Sequence, residues 1–396
     1  MKEIDGAERE TNARDARGEM RLLTPVRIGR RELGNRIVMA PMARARCDEN
    51  HVPTPMVAEY YAQRASAGLI VAEASSVSPR SCSRGQTAAI YLDSHAAGWR
   101  RVAKRVHEHG GSIFQQIYHL GRKSDPSRMP GRSRPVAPSA IAARGQIAGL
   151  DGPVDFAVPR ALETEEVAAV VDEFRVAAMM ARDAGMDGIE VHGANGFLID
   201  QFLRDASNRR TDRYGGSVEN RARFLLEVVD AVAGVFTADR VGVRLSPHFR
   251  ADGISDSSPE NTFGHAAAAL SDRRIAYLHL VEAVVPDLPQ SPPVGARPLI
   301  PVIRRAFGGP LIVNGGYTRE TAEKAICSGL ADLVAFATLY IGNPDLVHRF
   351  RRDGSLNGHD RATAHNGGAA GYIDYPGLVA EDPSARPVRK PEQAPG

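Results

Sequence analysis

Cysteine is scarce in this chain: Cys47, Cys82 and Cys327 are far apart, and none stands in CxxC spacing. That argues against a zinc site, an iron–sulfur cluster or a disulfide framework, and it makes a reducing cytoplasm the expected compartment. Long apolar runs are missing as well. Those present have strand length or are broken by charges, short of the roughly 18 to 20 residues of a membrane span. The first residues lack the apolar core of a signal peptide. Charge of one sign is also lacking, since 50 Lys and Arg against 47 Asp and Glu leave a net charge of only +3. No basic surface for nucleic acid is implied, although a pI near 8.8 leaves weak non-specific contacts open. No GxGxxG follows a strand, so nothing announces a Rossmann domain.

What is present is enough apolar residue, 43% of 396 positions, for a sizeable core in one large domain or two ordinary ones. Residues 1–21 are charged with almost nothing to pack and read as a disordered tail. Residues 381–396, rich in Pro and charge, read as a flexible C-terminal tail. Between them, over residues 22–380, short β-rich runs alternate with helical patterns, the mark of parallel βα units. The runs are "RIVMAPMA", "LIVAEASSV", "SIFQQIYH", "GIEVHGAN", "VGVRLSP", "IAYLHLVEA", "PLIVNGG" and "LVAFATLYI". Eight strands with eight helices predict a single α/β domain, a closed (β/α)8 TIM barrel. Thr164, with Glu165 and Glu166, precedes a long amphipathic helix that Gly185 ends, and Asn343-Pro344 opens the last helix. "VRIGRRELGNRI" reads as a hairpin capping the barrel bottom. Residues 120–159 are too long for an ordinary βα loop and read as a lid insertion after the third strand.

Active sites of such barrels lie at the C-terminal strand ends, so polar residues there come first. Met42 and Ala43 end strand one, Ala74 lies near the end of strand two, and Gln116, Tyr118 and His119 end strand three. His192 and Asn195 close strand four, Arg244 sits in strand five, and Asn314, Gly315 and Gly316 end strand seven. His192 and Asn195 both offer N–H donors to one ligand oxygen, which suits polarising a carbonyl or holding an enolate. The plainer alternative is that they satisfy backbone groups where strand becomes loop. Gln116 suits the donor/acceptor edge of a heterocycle, and Arg244 offers charge to an electron-rich ring. Either alone also fits a buried structural polar group. The paired glycines of "VNGGYT" let backbone approach a phosphate at a helix start, or merely make a turn.

These residues, with "NRIVMAPMARAR", "YYAQRASAGLIVAEAS", "IFQQIYHLGR", "RPVAPSAI", "IEVHGANGFLIDQFL", "SNRRTDRYGGSVENRARFLLEVVDAV", "VGVRLSP", "NGGYT" and "NPDLVHRF", resemble the Old Yellow Enzyme family of FMN-dependent ene-reductases. The resemblance covers nearly the whole barrel. It implies FMN across the barrel mouth, with Pro41, Met42, Ala43 and Ala74 lining it, Gln116 on its pyrimidine edge and Arg244 near N1/O2. His192 and Asn195 would bind the carbonyl oxygen of an α,β-unsaturated substrate, a small molecule. Hydride would pass from reduced flavin N5 to the β-carbon, after NADH or NADPH has reduced the flavin. Longer relatives carry an iron–sulfur cluster and a second domain; this chain resembles the short form, which often forms homo-oligomers. The C-terminal "GYIDYP" is a candidate to approach a neighbour's active site.

Four departures from the family pattern fall where cofactor and substrate are handled. Phe197 stands where a proton-donating tyrosine is usual, and it has no proton to give. Ala43 replaces a threonine or cysteine beside the flavin, and Tyr118 replaces a tryptophan of the substrate pocket. At Ala337-Thr338 the family usually reads Gly-Arg, the arginine gripping the FMN phosphate. Three functions follow: an ene-reductase with another proton source, a flavin-dependent isomerase or desaturase in a specialised pathway, or a barrel without FMN that serves as a non-redox enzyme or binding protein.

Overall fold

The structure, a computed structural model, describes residues 20–81, 85–149, 152–284, 289–365 and 368–378. Most of the two expected tails, and Cys82, lie outside the described residues. Strands β1 (Val26–Ile28) and β2 (Arg31–Leu33) form the expected antiparallel hairpin. The barrel begins with β3 (Ile37–Met39), β4 (Leu69–Ser76) and β5 (Ile113–Tyr118). The insertion then contributes β6 (Val136–Ala137), β7 (Gln146–Gly149), β8 (Gly152–Asp155) and β9 (Arg160–Ala161). The remaining strands are β10 (Gly188–His192), β11 (Val241–Leu245), β12 (Tyr277–Val281), β13 (Leu311–Asn314) and β14 (Leu333–Phe336).

All eight predicted strands pair in parallel and close, β14 returning to β3. Such strands bury both faces, which is why they read as continuous apolar runs rather than as alternating ones. Helices cover the outside. Glu166–Asp183 buries Val167, Val170, Phe174, Ala177, Ala178 and Ala181, a stripe at helical spacing. Gly185 follows it at φ +85° and stops it. Thr164 does not cap this helix; its hydroxyl is hydrogen-bonded to Asp212 instead. The last helix, Leu346–Arg352, starts two residues after Pro344, because the Asn343 amide bonds back to Leu339 O at 2.8 Å.

The barrel interior is packed, not hollow. Ile28 and Leu33 of the hairpin join Val38, Leu69, Val71, Phe114, Tyr277, Ile312 and Leu333 in one buried cluster, so the hairpin does close the bottom. Phe114 and Tyr277 have ring centroids 5.8 Å apart. A Cβ on Gly188 would stand 2.5 Å from the Phe114 ring, and one on Gly242 2.2 Å from the Tyr277 ring. Two large rings thus fill the bottom layer because the neighbouring strands β10 and β11 carry no side chain there. In "GYIDYP", Tyr372 is fully buried on its own barrel, stacked on Tyr60 at 4.1 Å, while Asp374 and Pro376 are exposed. No described helix is long and apolar enough to cross a membrane.

Candidate active site

Above the ring layer the two-residue strand period places polar side chains inward. Glu190 and His192 follow Gly188 on β10, Arg244 follows Gly242 on β11, His279 follows Tyr277 on β12, and Gln116 and Tyr118 follow Phe114 on β5. Gln116 Nε2 donates to Glu190 Oε1 at 2.6 Å, while Glu190 Oε2 accepts from Tyr277 Oη at 3.1 Å and His279 Nδ1 at 2.9 Å. Burial opposes charge on Glu190, but His279, Arg244 and Gln116 outweigh it and hold the carboxyl below its ordinary range. Burial lowers His279 from its ordinary value, against the pull of Glu190. Arg244 supplies the balancing charge; its Nη2 donates to Asn314 Oδ1 at 3.1 Å, and its Nε has no partner.

His192 is buried, and burial, with Arg244, His279 and Lys123 nearby, holds it well below 6.5. It is therefore a neutral imidazole. Its Nδ1 accepts from Ala194 N–H at 3.2 Å, which places the remaining proton on Nε2. Asn195 adopts φ +57°, a left-handed conformation that asparagine tolerates, and its N–H donates to Ser246 Oγ at 2.8 Å. Beneath this loop Gly196 N–H donates to Asp200 Oδ2 at 2.9 Å, and Asp200 pairs with buried Arg204 at 2.7 Å.

Two cavities open at the strand ends, of about 430 and 720 Å³. The first is lined by Pro41, Ala43, Ala74, Gln116, Tyr118, His192 and Phe197. The second is lined by Asn314, Gly315, Gly316, Ala337 and Thr338. Asn195 and Arg244 line both. The rings of Tyr118, His192 and Phe197 form one wall, with His192 and Phe197 edge to face at 4.9 Å. Gly315 needs its glycine: at φ +142° a Cβ would fall 2.5 Å from Ala283 Cα.

A sequence model described as the NADH:flavin oxidoreductase / NADH oxidase family matches residues 21–357. The chain is 42% identical over 360 residues to a probable flavin mononucleotide-dependent alkene reductase of Leishmania infantum, covering 90% of this chain and 97% of that protein. Among solved structures it is similar to morphinone reductase in complex with tetrahydroNAD, with TM-score 0.85 and 43% identity over 91% of this chain and 98% of that one. An old yellow enzyme homologue from Zymomonas mobilis gives TM-score 0.87 and 42% identity over 90% and 99%. The chain belongs to the Old Yellow Enzyme family of NADH:flavin oxidoreductases.

Within this flavin oxidoreductase, Met42 and His119 are not among the residues that line the two cavities. Met42 lines neither cavity; it packs against the main core, because the chain leaves strand geometry after Met39 and the alternation slips, turning Pro41 and Ala43 to the cavity. His119 is turned away from the mouth, its Nδ1 accepting from Gly121 N–H at 3.0 Å. A register shift between Ala72 and Ser75 puts Ala74 rather than Glu73 at the cavity.

Glu73 instead sits fully buried, accepting from Arg44 N–H at 3.3 Å, and burial raises its carboxyl from 4.5 to about 7. Between those values the folded enzyme keeps a proton that the unfolded chain has released, so stability falls as pH rises through the window and the loss is complete above 7. Glu73→Gln is expected to flatten this dependence and to gain about 3 kcal/mol over wild type at pH 8. Urea unfolding of both proteins from pH 5 to pH 8 checks it; parallel curves would refute it.

Sequence reading missed Glu190, Tyr277, His279, Lys123, Asp252 and Arg319. Glu190 had a usable signal, since in "GIEVH" it shares the strand face of His192. Tyr277 and His279 alternate in "YLHLV" in the same way. Arg319 directly follows the "GGYT" turn and lines the larger cavity, its Nη1 donating to Asp353 Oδ1 at 2.6 Å and its Nε without a partner.

Proposed function

We propose that the enzyme is an FMN-dependent reductase of the C=C bond in small α,β-unsaturated carbonyl compounds, using NADH or NADPH. The observation that carries this reading is the junction of the two cavities, which Arg244 and Asn195 both line. A long, flat, anionic cofactor fits that shape. Pro41, Ala43 and Ala74 would line its ring, Gln116 would offer the part of its amide not used by Glu190, and Arg244 would balance charge on the ring. Gly315, Gly316, Ala337 and Thr338 would approach the phosphate, and the missing arginine at Thr338 would be replaced by Arg319 from the next helix start. Residues 22–380 act as one flavin-binding unit, and the hairpin of β7 and β8 in the 120–159 insertion brings Gln146 and Ile147 to the smaller cavity as its lid.

When bound and reduced, FMN supplies hydride. The protein's own part is to hold the carbonyl oxygen between His192 Nε2–H and the Asn195 amide, and to stack the flat substrate between the flavin and the Tyr118/Phe197 wall. Two neutral donors aimed at one oxygen stabilise the charge that develops there as the β-carbon receives hydride. Protein purified with FMN is expected to stay yellow through dialysis, and its NAD(P)H-reduced flavin to be reoxidised anaerobically by enones. A colourless protein that takes up no FMN would overturn the reading in favour of a non-redox barrel. An enone returned isomerised rather than reduced would assign the isomerase function instead.

A further inference from the structure

Five residues beyond the end of β5, Lys123 closes the short turn Gly121–Lys123 and extends into the smaller cavity beside His192, Asn195 and Phe197. Its side chain is only 17% exposed. Nζ is paired with Asp252 Oδ2, lies 3.5 Å from Asn195 O, and stands 5.1 Å from the Phe197 ring centroid and 5.7 Å from that of Phe249. Asp252 lines the same cavity and holds a left-handed backbone, φ +61°. That conformation is kept by its carbonyl, which accepts from Arg144 N–H at 3.0 Å and Arg122 Nη2 at 3.2 Å. A left-handed aspartate fixed by two hydrogen bonds to its carbonyl holds its carboxylate at the cavity wall. The wall beneath it, Phe197, is carbon alone and has no proton to donate. Asp252 meets the ammonium's charge locally, so Lys123 is poorly suited to serve as an open binding site for an anionic substrate.

We propose that Lys123, aimed by Asp252, is the catalytic acid that protonates the α-carbon of the substrate. The proposal rests on the ene-reductase reading above. In that reaction hydride from reduced flavin forms the C–H bond at Cβ, and the C=C electron pair shifts to give an enolate whose oxygen is held by His192 and Asn195. The enolate pair then takes a proton from Lys123 Nζ, forming the Cα–H bond and restoring the carbonyl. Lys123 is left as a neutral amine and recovers its proton from solvent, with the Asp252 carboxylate beside it. An alkylammonium and a phenol are acids of nearly equal strength in water, so a lysine can take the chemical role that a tyrosine would.

The test uses FMN-loaded full-length enzyme, 2-methylcyclohex-2-enone as the probe and anaerobic reoxidation of the reduced flavin. Flavin content and melting temperature check that each variant folds. Wild type is expected to give one enantiomer of 2-methylcyclohexanone. Lys123→Met is expected to reoxidise about 10²-fold more slowly and to give product with eroded enantiomeric purity, because water then protonates Cα from either face. Lys123→Ala is expected to recover rate when ethylamine is added, and Asp252→Asn to be impaired in the same sense. Lys123→Met with unchanged rate and enantiomeric purity would overturn the proposal, and loss of both in Tyr118→Phe instead would give the proton to Tyr118. A Lys123→Met effect confined to the KM of carboxylate-bearing enones would also overturn it, making Lys123 a substrate-binding cation. If wild type reduces no enone at all, the ene-reductase reading fails first, and the two failures are thereby distinguished.

Discussion

His192→Ala is expected to lower enone turnover by about 10²–10³-fold, with flavin content unchanged, because it removes one of two donors aimed at the substrate oxygen. The imidazole is a neutral donor. Its Nδ1 is occupied by Ala194 N–H, and burial with the charge of Arg244 holds its titration well below the ordinary range. The pH profile of turnover should therefore carry no break from this histidine between about pH 5.5 and 8. A break near 6.5 in wild type that disappears in His192→Ala would mean that the donor is an imidazolium and that its proton can be transferred. Asn195→Ala is expected to act in the same direction, and the loop that presents both residues is anchored to the core through Asp200 and Arg204.

Glu190→Ala should destabilise the fold by about 3–5 kcal/mol, the range found when one partner of a buried charge arrangement is removed. Glu190 meets three donors, from Gln116, Tyr277 and His279, and its charge offsets that of Arg244. Truncation strands all of them, Tyr277 and His279 with no exposed surface, whereas an isolated surface carboxylate would cost little. Glu190→Gln keeps an acceptor for Tyr277 and His279 but not the charge, so its loss should be smaller. Urea unfolding of the three proteins at pH 7 decides it. Equal midpoints would mean that water enters the barrel centre and replaces the carboxylate.

Much of the fold was legible because element type is a local property. "LIVAEASSV" and "VGVRLSP" are short β-rich runs that only a sheet buried on both faces accommodates, and eight of them separated by amphipathic helices leave few topologies. The carbonyl-oxygen donors were legible for the same reason, since His192 ends a run and the strand-end rule of barrels gives its position a meaning. Where the local period broke, the sequence did not say which way a side chain turns. Met42 was assigned to the mouth on its place in "VMAPMA", but strand geometry stops at Met39. His119 neighbours Tyr118 in sequence and faces the other way.

The sequence by itself determined the barrel, its capping hairpin, the insertion after the third strand, and a mouth lined by Gln116, His192, Asn195 and Arg244. Period and composition act within one strand or one helix, and neighbouring residues carry that information. Only the tertiary structure decided that the register shift beside Ala74 leaves Glu73 buried, that Arg319 lines the larger cavity together with Thr338, and that Tyr372 stacks on Tyr60. It alone joined Lys123 to Asp252, which are 129 positions apart. Such a pairing depends on how two loops settle over the barrel, the outcome of many weak contacts between distant segments, and no local pattern encodes it.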